Sequence, residues 1–429
     1  MRVTLTAVAL ACLAECAVVT PSAEGPTQPK TEGRKFTLAQ VHNEHFRGHD
    51  VQSSLIRAHM KYGYGVPAAL SLAAKNNPSL GLKFSLLAQS QNKTQKGTIK
   101  SVPPAKYDSE YAVPVQIGTP PQSLPLNLDT GSADLWVFSS ETYRTSLHGQ
   151  ALYHPENSSS SHRVEQHSWK VKYGDGAFAS GIVYKDRVQL GECHVDEQAV
   201  QAAIEVSDAI AADTFTSGIL GMANSAANTV RPTRQKSYMD NLREQLEQPV
   251  FTANLHSRGP GNYNFGYIDK SEYTGKIQYA AVDRYSPFWK ITVSGYQVGS
   301  GYYKKRQWNA IVDTGTSLLL LPGYMVDEYY SQIPGSGFDS RLGVITYPCR
   351  VHPPDFILGI GPYRGRIPGA YIKYSQVNRE RCYGGIQKAD KIPFAVLGDV
   401  ALKAQFVVFN YNYGLVGFAN KKLDDLSGY

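Results

Sequence analysis

Leu126-Asn127-Leu128-Asp129-Thr130-Gly131-Ser132 returns, 184 residues further on, as Ala310-Ile311-Val312-Asp313-Thr314-Gly315-Thr316. Each copy is an apolar stretch that runs into Asp-Thr-Gly and then a hydroxyl residue. Each is followed by a second apolar stretch ending in glycine. These are Ile219-Leu220-Gly221, whose Gly221 is 92 residues from Asp129, and Val396-Leu397-Gly398, whose Gly398 is 85 from Asp313. A single Asp-Thr-Gly is weak evidence, because Asp and Gly are ordinary turn residues. Two copies with matched partners in one chain describe a duplicated unit, each half presenting one carboxyl at the end of a strand.

Working outward, the chain has 429 residues, room for two or three domains. Hydrophobic residues make up 42% and charged residues 18%, a balance that excludes wholesale disorder. The 28 Tyr and 38 Gly favour strands broken by turns over helical bundles. A net charge of +7 first suggests a nucleic-acid or anionic-membrane partner. Its location removes that reading. Residues 21–100 hold eleven basic and four acidic groups, whereas residues 101–429 hold 31 of each sign. No His-Glu-x-x-His, P-loop or Gly-x-Ser-x-Gly string is present, so metalloprotease, nucleotide hydrolase and serine hydrolase chemistries have no support.

Two carboxyls held together cannot both ionise, so they share one proton and their apparent pKa values split. The neutral acid can then polarise a carbonyl while the carboxylate activates a water. Gly131 and Gly315 let backbone N–H groups approach the carboxylate oxygens. Ser132 and Thr316 can donate to the outer oxygens and hold the pair near one plane.

With these motifs the sequence resembles the pepsin-like aspartic peptidases, most of all the secreted fungal aspergillopepsin and penicillopepsin type. The likeness covers nearly all of residues 107–420. It includes the 129–140 and 313–316 strings, Tyr173-Gly174-Asp175-Gly176, the 263–269 string Tyr-Asn-Phe-Gly-Tyr-Ile-Asp, and the 398–409 string that opens Gly-Asp-Val-Ala. The resemblance implies a mainly β, bilobal fold. Two pseudo-symmetric barrel-like lobes, 101–283 and 284–429, would flank a cleft, after a signal peptide at 1–20 and an activation prosegment at 21–100. Asp129 and Asp313 would be catalytic, and Thr130 and Thr314 would cross-link their loops. Tyr173, on a hairpin flap, would close over the substrate, braced by Trp136. Gly174, Asp175 and Gly315 would touch the substrate backbone. Ile210, Ile219, Phe288 and Ile311 fall where the family lines its central subsites, which implies bulky apolar residues around the scissile bond. An acidic flap residue, here Asp175, implies acceptance of Lys before the cut, although Ala177 replaces the hydroxyl residue expected two places later. Ser217 also departs from the Asp that many relatives carry there.

The resemblance further implies protein and peptide substrates, pepstatin-type inhibitors and inhibition by the chain's own prosegment. No cofactor, metal, nucleic acid or membrane anchor is expected, and the enzyme should be a monomer. Apolar Val51, Leu55, Ile56 and Met60 form a helical stripe leading to Lys61-Tyr62. Family proforms place such a pair over the catalytic carboxylates, so Lys61 and Tyr62 are the expected inhibitory residues. His45 and His49 have i,i+4 spacing but no evident third ligand. A catalytically silent, peptide-binding relative is the competing reading. Loss of one Asp, the flap tyrosine or an active-site glycine would favour it, and this chain retains all of them.

Met1-Arg2 followed by a mostly apolar run to Leu13 reads as a secretory signal, cut between about Cys16 and Ala23. The expected destination is extracellular, with the vacuole second. Of the cysteines outside that signal, closing the interval from Cys349 to Cys382 would stabilise by about 3–4 kcal/mol. Cys193 is then a buried free thiol or, with a base beside it, a nucleophile. Asn157-Ser158-Ser159 is a glycosylation sequon in a polar loop. A helix is expected over 237–248, where Met239, Leu242 and Leu246 share a face.

Overall fold

The computed structural model describes residues 33–40, 50–80, 111–172, 178–211, 214–257, 259–423 and 426. The expected signal peptide, His42, His45, His49 and the flap residues Tyr173, Gly174 and Asp175 lie outside them. Among the described residues strands dominate, in five sheets.

The duplication is a duplication of strand geometry. Gln122–Asp129 pairs in parallel with Gly218–Gly221, which pairs antiparallel with Leu135–Val137, which in turn lies parallel to Cys193–Val206. In the second copy Trp308–Val312 pairs in parallel with Ala395–Leu397. That strand pairs antiparallel with Leu319–Leu321, itself parallel to Ile386–Lys388. The order parallel, antiparallel, parallel is the same in both. Strands buried on both faces read as unbroken apolar runs, and Leu319–Leu321 and Ala395–Leu397 are buried at every residue. The first unit belongs to a seven-stranded sheet whose strand Ala112–Ile117 also pairs with Phe178–Leu190, curling it toward a barrel. The second lies in a five-stranded sheet.

A six-stranded sheet joins residues distant in sequence: Phe36–Ala39, Asn262–Phe265, Val250–Asn254, Phe406–Asn410, Leu415–Asn420 and Thr274–Ala281. Its edge strand comes from the basic N-terminal segment, Phe36 opposite Phe265 and Leu38 opposite Tyr263. That segment then forms the helices Val51–Lys61 and Ala68–Asn76. Asp50 caps the first, accepting hydrogen bonds from the Ser53 backbone N–H and hydroxyl, each at 3.0 Å. Val51, Leu55, Ile56, Met60 and Leu70 are buried in the main core. Burial of each such side chain contributes about 1.5–3 kcal/mol before ordering costs. The segment is part of the core, not a strap on its surface.

Cys349 and Cys382 form a disulfide with Cα atoms 5.0 Å apart. Cys193 is unpaired and buried, and burial pushes its thiol pKa up, against the opposing charge of Arg34. The helix expected over 237–248 is shorter, ending as Tyr238–Leu242. Met239, Leu242 and Leu246 are all buried. The chain unwinds after Leu242 because its next backbone groups pair with the N-terminal segment. Arg34 N–H donates to the Gln245 carbonyl at 3.0 Å, and Glu247 N–H donates to the Arg34 carbonyl at 2.8 Å.

Candidate active site

Asp129 ends its strand, Gln122–Asp129, and Asp313 follows Trp308–Val312 directly. The parallel ladders set Asp129 opposite Gly221 and Val312 opposite Leu397, so both carboxyls leave equivalent strand ends. Threonines lock the two loops. Thr130 Oγ1 donates to the Val312 carbonyl at 2.8 Å and accepts from Thr314 N–H at 3.0 Å. Thr314 Oγ1 donates to the Leu128 carbonyl at 2.5 Å and accepts from Thr130 N–H at 3.2 Å. All four bonds are buried, where leaving either side unpaired is costly.

Each carboxylate is held in the same way. Gly131 N–H donates to Asp129 Oδ1 at 2.8 Å, and Gly315 N–H to Asp313 Oδ1 at 2.9 Å. Ser132 Oγ donates to Asp129 Oδ2 at 2.6 Å, and Thr316 Oγ1 to Asp313 Oδ2 at 2.5 Å. Glycine is required at both positions. A Cβ on Gly131 would meet the Asp313 carboxylate at 2.5 Å, and one on Gly315 would collide with that of Asp129.

Lys61 lies between the carboxylates, its Nζ 2.6 Å from Asp129 Oδ1 and 2.8 Å from Asp313 Oδ1. Tyr62 donates its hydroxyl to Asp313 Oδ2 at 2.7 Å. Burial pushes both carboxyls up, but the Lys61 ammonium pulls Asp313 down to about 2. Asp129 stays raised, because burial and the neighbouring carboxylate outweigh Lys61 there. Lys61 is itself held above its usual range, the two carboxylates overcoming its burial. The two carboxyls therefore titrate as one coupled pair, with Lys61 favouring the charged form of both.

Trp136 is buried against Trp169 and Phe138, with ring centroids 6.0 and 5.6 Å away. Ile210 and Ile219 are half-buried against that cluster. Ile311 is fully buried, laddered between Lys290 and Val396. Phe288 meets the Tyr62 ring edge-on at 5.9 Å. Phe394, which sequence reasoning missed, takes the Tyr62 ring at 5.3 Å, also edge-on. Its only signal was its place beside the strand Ala395–Leu397. Asn157 is exposed at the end of the turn Pro155–Asn157. Two carboxyls in one buried network can supply an acid and a base to a single bond once they share one proton.

The family model for eukaryotic aspartyl proteases matches residues 110–421. The chain belongs to the eukaryotic aspartyl protease family. Among curated relatives it is 41% identical to endothiapepsin of Cryphonectria parasitica over 396 residues, 92% of each chain. It is 39% identical to aspergillopepsin-1 of Aspergillus oryzae over 410 residues, 96% of this chain and 98% of that one. Penicillopepsin-2 of Penicillium janthinellum is 41% identical over 361 residues, 84% of this chain and 85% of its own. This aspartyl protease is a pepsin-like aspartic endopeptidase, of a family that takes protein substrates and pepstatin-type inhibitors. Among the described residues no helix is long and apolar enough to cross a membrane.

Proposed function

We propose that the chain is the zymogen of an acid-activated endopeptidase in which Asp129 and Asp313 jointly activate the attacking water. The observation that carries this reading is the Lys61 ammonium, 2.6 and 2.8 Å from the two carboxylates, on an N-terminal segment that precedes the duplicated unit in sequence. Lys61 Nζ occupies the place of water and scissile peptide. Tyr62, between Phe288 and Phe394, occupies that of an apolar substrate side chain. Near neutral pH the ammonium keeps both carboxyls ionised and the site filled. As pH falls the pair takes a proton, one of the two charges holding Lys61 disappears, and the segment comes away to be cut. Asp313, held at about 2, gives up its share of the clamp only in stronger acid.

In the freed site one carboxyl carries the shared proton and the other is charged. The charged one takes a proton from water as its oxygen attacks the peptide carbonyl, and the neutral one donates to the carbonyl oxygen. Collapse of the tetrahedral species passes a proton to the departing amine. Ser132 and Thr316 keep the outer oxygens occupied, so the inner ones face the substrate. Bulky apolar residues are the favoured neighbours of the cut, Asp175 supports acceptance of Lys before it, and the N-terminal leader supports export. Replacing Lys61 by Met tests the clamp. The variant should process prematurely or show little dependence on acid. A pH profile of activation identical to that of the parent chain would count against it.

A further inference from the structure

We propose that His59 is a second acid trigger, a buried imidazole whose protonation expels the last turn of the prosegment helix and draws Lys61 off the carboxylates. This rests on the zymogen reading and adds to it a sensor that works in milder acid than the carboxylate clamp.

His59 is fully buried, the only histidine so placed among the described residues, and sits two residues before Lys61 in the helix Val51–Lys61. Neither ring nitrogen has a hydrogen-bond partner. The ring lies against the backbones of Lys388 and Gly65, which favour its charged form without closing a well-formed hydrogen bond, and near the charge of Lys391, which opposes it. Lys391 Nζ lies 3.8 Å from where a Cβ on Gly65 would be. Of the other charged groups on these elements, Arg57 and the lysines carry the wrong sign to hold an imidazolium, and the one carboxyl is Asp390. Lys388 Nζ is paired with Asp327 at 2.7 Å, and burial pushes the Asp390 carboxyl up. On its own helix, Lys61 and the adjoining Tyr62 point at the dyad. A neutral imidazole is tolerated in this place. A charged one has no carboxylate bonded to it and an ammonium close by.

Burial outweighs the backbones of Lys388 and Gly65, which favour the charged ring, and with a smaller push from Lys391 lowers the His59 pKa from 6.5 to about 4 while the segment is docked. Once released, the ring is in water and titrates in the ordinary range. Release therefore takes up a proton between those two values. Docking is intact above about 6.5 and weakens as pH falls, by about two orders of magnitude once pH reaches 4. That window opens before the ordinary carboxylate range. It helps most where the clamp is strongest, because Lys61 itself holds Asp313 at about 2.

The test compares the purified full chain with His59→Met and His59→Asn, neither of which can charge. Prosegment loss is timed from pH 3 to 7 by gel and N-terminal sequencing. The parent chain should process within the 4–6.5 window, and both variants should need about one unit more acid, with a shallower dependence of log rate on pH. Fully processed enzymes from all three should hydrolyse peptide at equal rates, since the mature chains are identical. A folded variant that follows the parent's curve overturns the proposal. Histidine NMR of the intact parent between pH 7 and 5 serves even if neither variant folds. One imidazole should stay neutral down to pH 5, and ordinary titration of every histidine overturns the trigger. Failure of the zymogen reading looks different: the uncut parent chain would hydrolyse peptide at pH 7.

Discussion

At the scale of single residues, the proposed chemistry rests on two carboxyls that differ only in their surroundings. Asp129→Asn and Asp313→Asn should each lower peptide hydrolysis by at least about a thousandfold, as expected when the acid–base pair is broken. Thermal unfolding should show that both variants still fold. Thr130→Val removes a hydroxyl that serves Val312 and Thr314 at once in a fully buried place. It should cost about 2–4 kcal/mol in denaturant titration, because two backbone groups lose their partner. The dyad was legible in the sequence because Asp-Thr-Gly recurs with matched partners, and electrostatics then says what such a pair can do. Phe394 was not legible. It meets Tyr62 across more than three hundred residues of chain, and only the pairing of Ala395–Leu397 with Trp308–Val312 brings it there.

At the scale of elements, the helix Val51–Lys61 is both an amphipathic wedge and the arm that carries Lys61. Its apolar stripe could be read directly from spacing, but burial extends past that stripe to Gln52, Ser54 and His59. The strand Phe36–Ala39 could not, since four residues gain their strand character from an edge that Asn262–Phe265 leaves open. The same bonding explains why the helix at 238–242 stops early: propensity favours its continuation, and pairing with Arg34 overrides it. Asp50→Ala removes the cap of the prosegment helix and should cost about 1 kcal/mol of docking. Prosegment loss should then run about fivefold faster at the pH where the parent is half-processed in a fixed time. An unchanged rate would mean that the helix leaves the body as a preformed unit.

At the scale of the whole molecule, charge and sulfur are distributed by segment. The excess positive charge sits in residues 21–100, the remainder carrying 31 charges of each sign. Acid processing should therefore move the isoelectric point from near 8.9 to the neighbourhood of neutrality, which isoelectric focusing reads directly. The disulfide closes a 33-residue interval, and Cys349→Ser with Cys382→Ser should lower unfolding free energy by about 2–5 kcal/mol without abolishing catalysis. The pseudo-symmetry of the two strand units was visible as a repeated string, whereas the six-stranded sheet joining distant residues was not, because nothing local announces a pairing such as Val250–Asn254 with Phe406–Asn410. Asp129 and Asp313 are proposed to form one catalytic site, covered by Lys61 until acid releases it. Hydrolysis of an unfolded protein by the purified chain, before and after acid treatment, with and without pepstatin, beside Asp129→Asn, tests this. A single covered dyad gives no hydrolysis by the untreated chain at pH 7, strong hydrolysis after acid treatment, and loss of that activity with pepstatin or Asp129→Asn. Acid-induced activity that resists pepstatin or survives Asp129→Asn would contradict it.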